Sequence, residues 1–243
     1  TKYELFVKRN NFLYINSVSR PEIEYRSVPG FSIAQTKLLP PEVELANMIE
    51  FMQNLQDKSE KSNKQFWDQK GGLAHLHKLQ QFDWLTVEVE KVVFRYLSDL
   101  GYDSSRIALF HQKAWPVITR KNSSIKRHAH FNSILAAVFY LRCDQESGGN
   151  LVFHMDRPSL PNIPKINSEK MEFPALITKI SPQPFDLLVF PSGLSHSVTV
   201  YEGENPRWSI TYDISVTASE ELGSGNTESV IIHPNYWREF VRR

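Results

Sequence analysis

A mainly β fold, a two-sheet jelly roll preceded by helices, follows from three features of the sequence. From Ile107 onward, short β-type runs are separated by Gly, Pro, Asn and Ser. Between Pro40 and Gly101, apolar residues recur instead at helical spacing. Inside the β-type region, the polar residues that can carry chemistry stand one residue apart, the spacing that puts them on one face of a strand.

The amino-terminal stretch from Glu4 to Val18 holds Phe6, Leu13, Tyr14 and Ile15 in short alternation and predicts one or two strands. Arg20-Pro21 and Pro29-Gly30 punctuate it, and Phe31 to Leu39 predicts another short strand. Pro40-Pro41 opens a helix, since proline suits a first turn, and Leu45, Met48, Ile49, Met52 and Leu55 form its stripe. Asp57 to Lys70 is polar and charged and reads as a loop anchored by Trp67. A second helical stretch holds Leu73, Leu76 and Leu79. A third holds Leu85, Val89, Val92, Val93, Tyr96, Leu97 and Leu100, with Gly101 as its stop. His75 and His77 fall on different faces of a helical segment and read as solvated, whereas His111 reads as structural.

Eight strands are expected after that: Ile107 to Phe110, Ala114 to Thr119, Ile134 to Arg142, Asn150 to His154, Ala175 to Ile180, Leu187 to Phe190, Ser197 to Tyr201 and Trp208 to Val216. Eight short strands so spaced favour a jelly roll. Arg157 to Pro174 is a long connection rich in proline, the kind that forms lids or binding loops. The tail holds Gly223 and Gly225, then a turn or helix expected to dock through Trp237 and Phe240. The expected division is residues 1–105 for strands and helices, 106–218 for the β core and 219–243 for the tail, all in one compact domain.

Composition narrows the function. The 243 residues carry a net charge of +1, so nothing argues for nucleic acid or an anionic membrane as partner. No apolar run approaches a membrane span. The single cysteine, Cys143, excludes an intramolecular disulfide and ends an apolar run, so burial is its plain reading. The start lacks a signal-peptide pattern and lacks Met, as a trimmed chain would. A reducing, cytoplasmic compartment is the expectation.

The chemistry is concentrated in Arg127-His128-Ala129-His130-Phe131-Asn132-Ser133, followed by Val138-Phe139-Tyr140-Leu141 and Gly148-Gly149. His196 comes 66 to 68 positions after the first two histidines, and Arg207-Trp208-Ser209 follows it. On a strand, His128 and His130 share a face and reach one ion, and a histidine from another strand completes a facial set with positions left open. Imidazole suits iron, zinc, copper and nickel alike, so ligand type does not choose the metal. Arg207 and Ser209 also share a face; a guanidinium takes a carboxylate by two parallel hydrogen bonds, and a hydroxyl adds a third. A metal site and an anion site in one cavity is the reading.

This combination, over roughly Ile107 to Val216, resembles the iron(II)/2-oxoglutarate-dependent oxygenases, and most of all small members with a His-x-His-x-Asn-Ser motif. The resemblance implies a double-stranded β-helix core with the amino-terminal helices packed on the larger sheet. It implies Fe(II), 2-oxoglutarate as co-substrate and O2. His128, His130 and His196 become the metal ligands, and Arg207 with Ser209 the binders of the far carboxylate of 2-oxoglutarate. Tyr140 and Asn132 are added as cofactor contacts, and Trp115, Arg120 and Arg157 as substrate contacts. The implied reaction splits 2-oxoglutarate to succinate and CO2 and hydroxylates a small-molecule, amino-acid or peptide substrate.

The chain departs from the family's His-x-Asp/Glu pattern, because His130 stands in the carboxylate place. Three arrangements are open: His130 as third ligand, Asn132 in the carboxylate place with His130 as first ligand, or two histidines alone. The first is favoured because the distance from His128 to Tyr140-Leu141 suits the family better. His154-Met155-Asp156 is a literal His-x-Asp but follows Gly148-Gly149, too late in the chain. Two other functions use the same fold: a three-histidine cupin-type dioxygenase without 2-oxoglutarate, and a jelly-roll binding module without catalysis. Substrate identity and oligomeric state are not written in the sequence.

Overall fold

The computed structural model describes residues 22–28, 31–61, 73–144, 146–155, 177–222 and 231–238. Two strands come first, β1 (Glu24–Val28) and β2 (Phe31–Lys37), then the helices α1 (Glu42–Lys61) and α2 (Asp83–Asp99). Eight strands follow: β3 (Ile107–Thr119), β4 (Ser123–His128), β5 (Leu135–Arg142), β6 (Leu151–His154), β7 (Ile177–Ile180), β8 (Asp186–Pro191), β9 (His196–Tyr201) and β10 (Arg207–Ala218). They build a six-stranded sheet, β1-β2-β8-β5-β10-β3, and a four-stranded sheet, β4-β9-β6-β7. All neighbours are antiparallel. The fold is the mainly β double-stranded β-helix that the sequence implies.

Strand alternation explains the layering. On β5, Leu135, Ala137, Phe139 and Leu141 join the core under the helices, with Met48, Met52, Leu85, Val89 and Val92. The intervening Ala136, Val138 and Tyr140 pack between the sheets, with Leu151, Phe153, Leu188, Phe190 and Val198. A strand covered on both faces has no polar side, so β5 reads as a continuous apolar run. On β10 the helix-facing set is Trp208, Ile210, Tyr212 and Ile214. The alternate set, Arg207, Ser209, Thr211 and Asp213, is polar and equally buried. That strand therefore carries a buried polar row towards the second sheet, and the functional site is built on it.

Several expectations need correction. The runs 107–110 and 114–119 are one strand; a bulge beside Asp213 and Ile214 absorbs the polar Gln112-Lys113 that seemed to divide it. A strand bearing both His128 and His130 was expected; β4 ends at His128, and His130 lies beyond it. The rest of β4 was not among the eight strands expected, because Ser-Ser-Ile-Lys-Arg-His at a sheet edge buries too little to show alternation. β1 was likewise not expected. α1 runs on into the polar stretch that reads as a loop, held by Gln56, whose Oε1 accepts from Trp208 Nε1 at 3.0 Å and from Arg142 Nη2 at 3.1 Å. The stretch around Leu76 is two single 3-10 turns, Leu76–Lys78 and Gln80–Phe82, not a helix. α2 matches its stripe, and Gly101 closes it at φ +85°.

His75 is exposed as expected, but His77 stacks on His111 at 5.6 Å, and burial pushes it down to about 4. His111 is structural, with its Nε2 3.0 Å from Glu90 Oε1. Cys143 is buried, and its thiol is pushed up to about 11 by burial. Trp237 is 61% exposed and does not dock; Pro234–Tyr236 is one 3-10 turn. The expected strands before Val18, Trp67, the long connection from Arg157 to Pro174 and Phe240 lie outside the described residues. Among the described residues, no helix is long and apolar enough to cross a membrane.

Candidate active site

A cavity of about 320 Å³ lies between the sheets, within the size range of ligand sites. The large sheet supplies its floor in two rungs, with a third beyond them. Val117, Ser209 and Tyr140 are paired across β3, β10 and β5, as are Trp115, Thr211 and Val138, and all six line the cavity. The next rung, Lys113, Asp213 and Ala136, lies outside the cavity lining. The small sheet supplies the opposite wall with Ile125, Leu151 and Val198.

His128, His130 and His196 converge at one end, with one ring nitrogen from each lying within 4.8 Å of the others. No other group of three potential metal ligands occurs among the described residues. Fold registry brings two of them together: His128, the last residue of β4, is the cross-strand partner of His196, the first of β9. Their ring centroids are 4.3 Å apart. His130 lies beyond the end of β4, held by its backbone N–H to the Ser192 carbonyl at 2.9 Å. Its ring centroid is 5.2 Å from each of the other two.

Each imidazole has committed its Nδ1. His128 Nδ1 donates to the Lys126 carbonyl at 2.8 Å, and His196 Nδ1 to the Leu194 carbonyl at 2.8 Å. His130 Nδ1 is 2.6 Å from Asp213 Oδ1. A carbonyl oxygen only accepts, so His128 and His196 carry a proton on Nδ1, which leaves Nε2 as the ring nitrogen able to ligate. Burial pushes His196 down to about 4, and its two histidine neighbours push the same way. His128 is lowered as well, by desolvation first and then by His130. Three imidazoles, each offering one ring nitrogen within 4.8 Å of the others, are a donor set a divalent transition metal takes.

At the other end stands Arg207, 2% exposed. Its Nη1 donates to the Gly149 carbonyl at 2.6 Å, and its guanidinium carbon lies 4.9 Å from the Tyr140 ring centroid. Its Nε is buried without a partner. No carboxylate among the described residues forms an ion pair with it. The Tyr140 hydroxyl is also buried without a partner, and burial pushes it up to about 12. Gly149, at φ +64°, is required here: a Cβ would come to 3.0 Å from both Arg207 Nη1 and Tyr201 Cδ2. A buried guanidinium without an anion, beside an unpaired phenol and Ser209, is complementary to a bound carboxylate.

The expected site residues divide clearly. The cavity brings together His128, His130, His196, Arg207, Ser209, Tyr140 and Trp115. Asn132 is exposed in the turn after His130 and does not line the cavity; its carbonyl accepts from Gln112 Nε2 at 2.9 Å. Arg120 is turned to α1, donating to Ser59 Oγ at 2.6 Å. His154 is hydrogen-bonded to Ser197 Oγ at 2.7 Å, and Asp156 and Arg157 lie outside the described residues. Two polar residues were missed, Thr211 in the cavity wall and Asp213 behind His130. The signal was present, since Arg207, Ser209, Thr211 and Asp213 occupy alternate positions of one strand.

Comparisons with known proteins agree with this geometry. Residues 113–213 match the family model described as "Putative 2OG-Fe(II) oxygenase". No curated protein matches the chain. Among solved structures, AviO1 from Streptomyces viridochromogenes Tue57 is similar at TM-score 0.52 and 12% identity, over 75% of this chain and 89% of that one. EvdMO1 is similar at TM-score 0.50 and 12% identity, over 75% and 46%. A 2OG-Fe(II) oxygenase family oxidoreductase from Burkholderia pseudomallei shows 16% identity and TM-score 0.41 over 57% of this chain; the chain spans 59% of that protein's length. At such identities AviO1 and EvdMO1 speak for the fold alone. Over residues 113–213 the chain is thus similar to a family described as 2OG-Fe(II) oxygenases, and its fold is one that such solved structures share.

Proposed function

We propose that the chain is a 2-oxoglutarate-dependent oxygenase in which His128, His130 and His196 hold iron(II) through Nε2. Arg207, Ser209 and Tyr140 receive the far carboxylate of 2-oxoglutarate. The observation that carries this reading is the pairing of two unmet needs in one cavity: three free imidazole nitrogens within 4.8 Å, and a buried guanidinium without an anion. When bound, iron(II) with 2-oxoglutarate and O2 supplies oxidative decarboxylation to succinate and CO2, coupled to hydroxylation of a substrate C–H bond.

The protein's own part is binding, orientation and exclusion of water. The Nδ1 bonds of the three histidines hold their Nε2 atoms in place. The Gly149 carbonyl fixes one arm of Arg207, so the remaining N–H groups meet the carboxylate already oriented. Val117, Val138, Leu151 and Val198 line the space around the reacting end with apolar surface. We take His130 rather than Asn132 as the third ligand, since Asn132 is exposed outside the cavity. The substrate class proposed is a small molecule, an amino acid or a peptide.

The test is conversion of labelled 2-oxoglutarate to succinate by purified protein with Fe(II) and ascorbate, alongside anaerobic titration of 2-oxoglutarate. Arg207→Ala is expected to weaken 2-oxoglutarate binding at least a hundredfold while iron still binds. His196→Ala is expected to abolish stoichiometric iron. A dioxygenase that needs no 2-oxoglutarate would lose little with Arg207→Ala, and that result would reject this function.

A further inference from the structure

We propose that Asp213 is a positioning residue of the metal centre, holding His130 as its third ligand from outside the ligand set. The inference rests on the ligand assignment above. It comes from an asymmetry among the three histidines. His128 and His196 are oriented locally, each by the carbonyl two residues before it. His130 lies on the link between β4 and β5 and is oriented instead by a side chain from β10, Asp213, at 2.6 Å.

Asp213 is placed for this task. It is 4% exposed and sits on an interior strand of the six-stranded sheet, paired with Lys113 and Ala136 on either side. Its other interactions are few: among the described residues, His130 is the only ion-pair partner of its carboxylate. The alternate positions Arg207, Ser209, Thr211 and Asp213 thus form one row, with a cation at one end and a carboxylate at the other. Trp115 flanks the His130 ring at 5.7 Å, and Ser192 holds the His130 backbone, so the ring is held from three directions. A carboxylate behind a ligating imidazole fixes the tautomer and the ring orientation and makes the ligand more basic. The negative group that the His-x-Asp/Glu pattern puts on the metal is here one residue removed from it, behind an imidazole.

The test uses Co(II) as a spectroscopic probe on the full chain. Asp213→Ala is expected to bind Co(II) 10- to 100-fold more weakly than wild type, with a changed d–d absorption band. Asp213→Asn keeps an oxygen that can accept from Nδ1 and is expected to stay within about tenfold of wild type. In a His130→Ala background, Asp213→Ala should cost nothing further, because its effect travels through that ring. Additive losses in the double variant would mean a general structural role and overturn the proposal, as would wild-type affinity and spectrum in Asp213→Ala. If Asp213→Ala does not fold, the same cycle is run with Asp213→Ser: weaker Co(II) binding and a changed band that add nothing further in the His130→Ala background support the positioning role, and wild-type affinity and spectrum overturn it. Undiminished Co(II) binding by His196→Ala would instead reject the ligand set itself, and with it both readings.

Discussion

Tyr140 is where the needs of the empty and the liganded protein can be told apart. Its ring is wholly buried, and its hydroxyl has no partner. A buried unsatisfied hydroxyl costs about 1–3 kcal/mol, so its removal should leave the ligand-free fold no less stable. A bond from that hydroxyl to a carboxylate is worth about 1.5–3 kcal/mol, or roughly 10- to 100-fold in affinity. Tyr140→Phe is therefore expected to melt at or above the wild-type temperature without ligand and to bind 2-oxoglutarate roughly 10- to 100-fold more weakly. Calorimetry of the one and anaerobic titration of the other check the pair. A loss of stability with unchanged 2-oxoglutarate affinity would make Tyr140 a core residue and nothing more.

At the scale of elements, legibility followed burial. α2 was plain because Leu85, Val89, Val92, Val93 and Tyr96 all face one core. β5 and β8 were plain because both their faces are covered. β4 was opaque although it carries His128, because an edge strand with one covered face offers only Ile125 to the apolar pattern. The end of α1 was opaque because its stability is tertiary: Gln56 is polar in sequence but serves as acceptor for the buried Trp208 indole. Spacing alone had singled out the histidines and Arg207-x-Ser209, which the fold brings to one cavity. Asp213 was marked by its place in that alternate row but not by its partner, which appears only when the link after β4 folds over β10. The reading of α1 has a consequence. Gln56→Ala strands the Trp208 N–H and should lower stability by about 1–3 kcal/mol in denaturant unfolding. Metal and 2-oxoglutarate affinities of the folded protein should not move, as Gln56 lines no part of the cavity.

The whole molecule places the metal end of the cavity across its two sheets. The small sheet brings His128 and His196 into register, and the large sheet secures His130 through Asp213. Burying His196 at this junction has a linkage consequence. An unfolded chain gives His196 an ordinary value near 6.5, whereas burial in the fold pushes it down to about 4. Between those two values the unfolded state binds more protons than the folded one, so stability rises with pH in that window. Above about pH 6.5 both states are neutral and the term vanishes; below about 4 both are charged and the loss is complete. His77 is pushed down to about 4 as well and adds a term of the same sign from outside the site. The metal-free protein should therefore lose melting temperature steadily from pH 6.5 to pH 4. A His196→Gln variant should show a shallower slope, keeping only the part that His77, His128 and the acidic groups supply. Adding a divalent metal at pH 7 should raise the melting temperature, and that gain should shrink faster on acidification than the metal-free value falls, because protons and metal compete for the same Nε2 atoms. A metal-dependent gain that held constant from pH 7 to pH 5 would mean that imidazoles do not hold the ion.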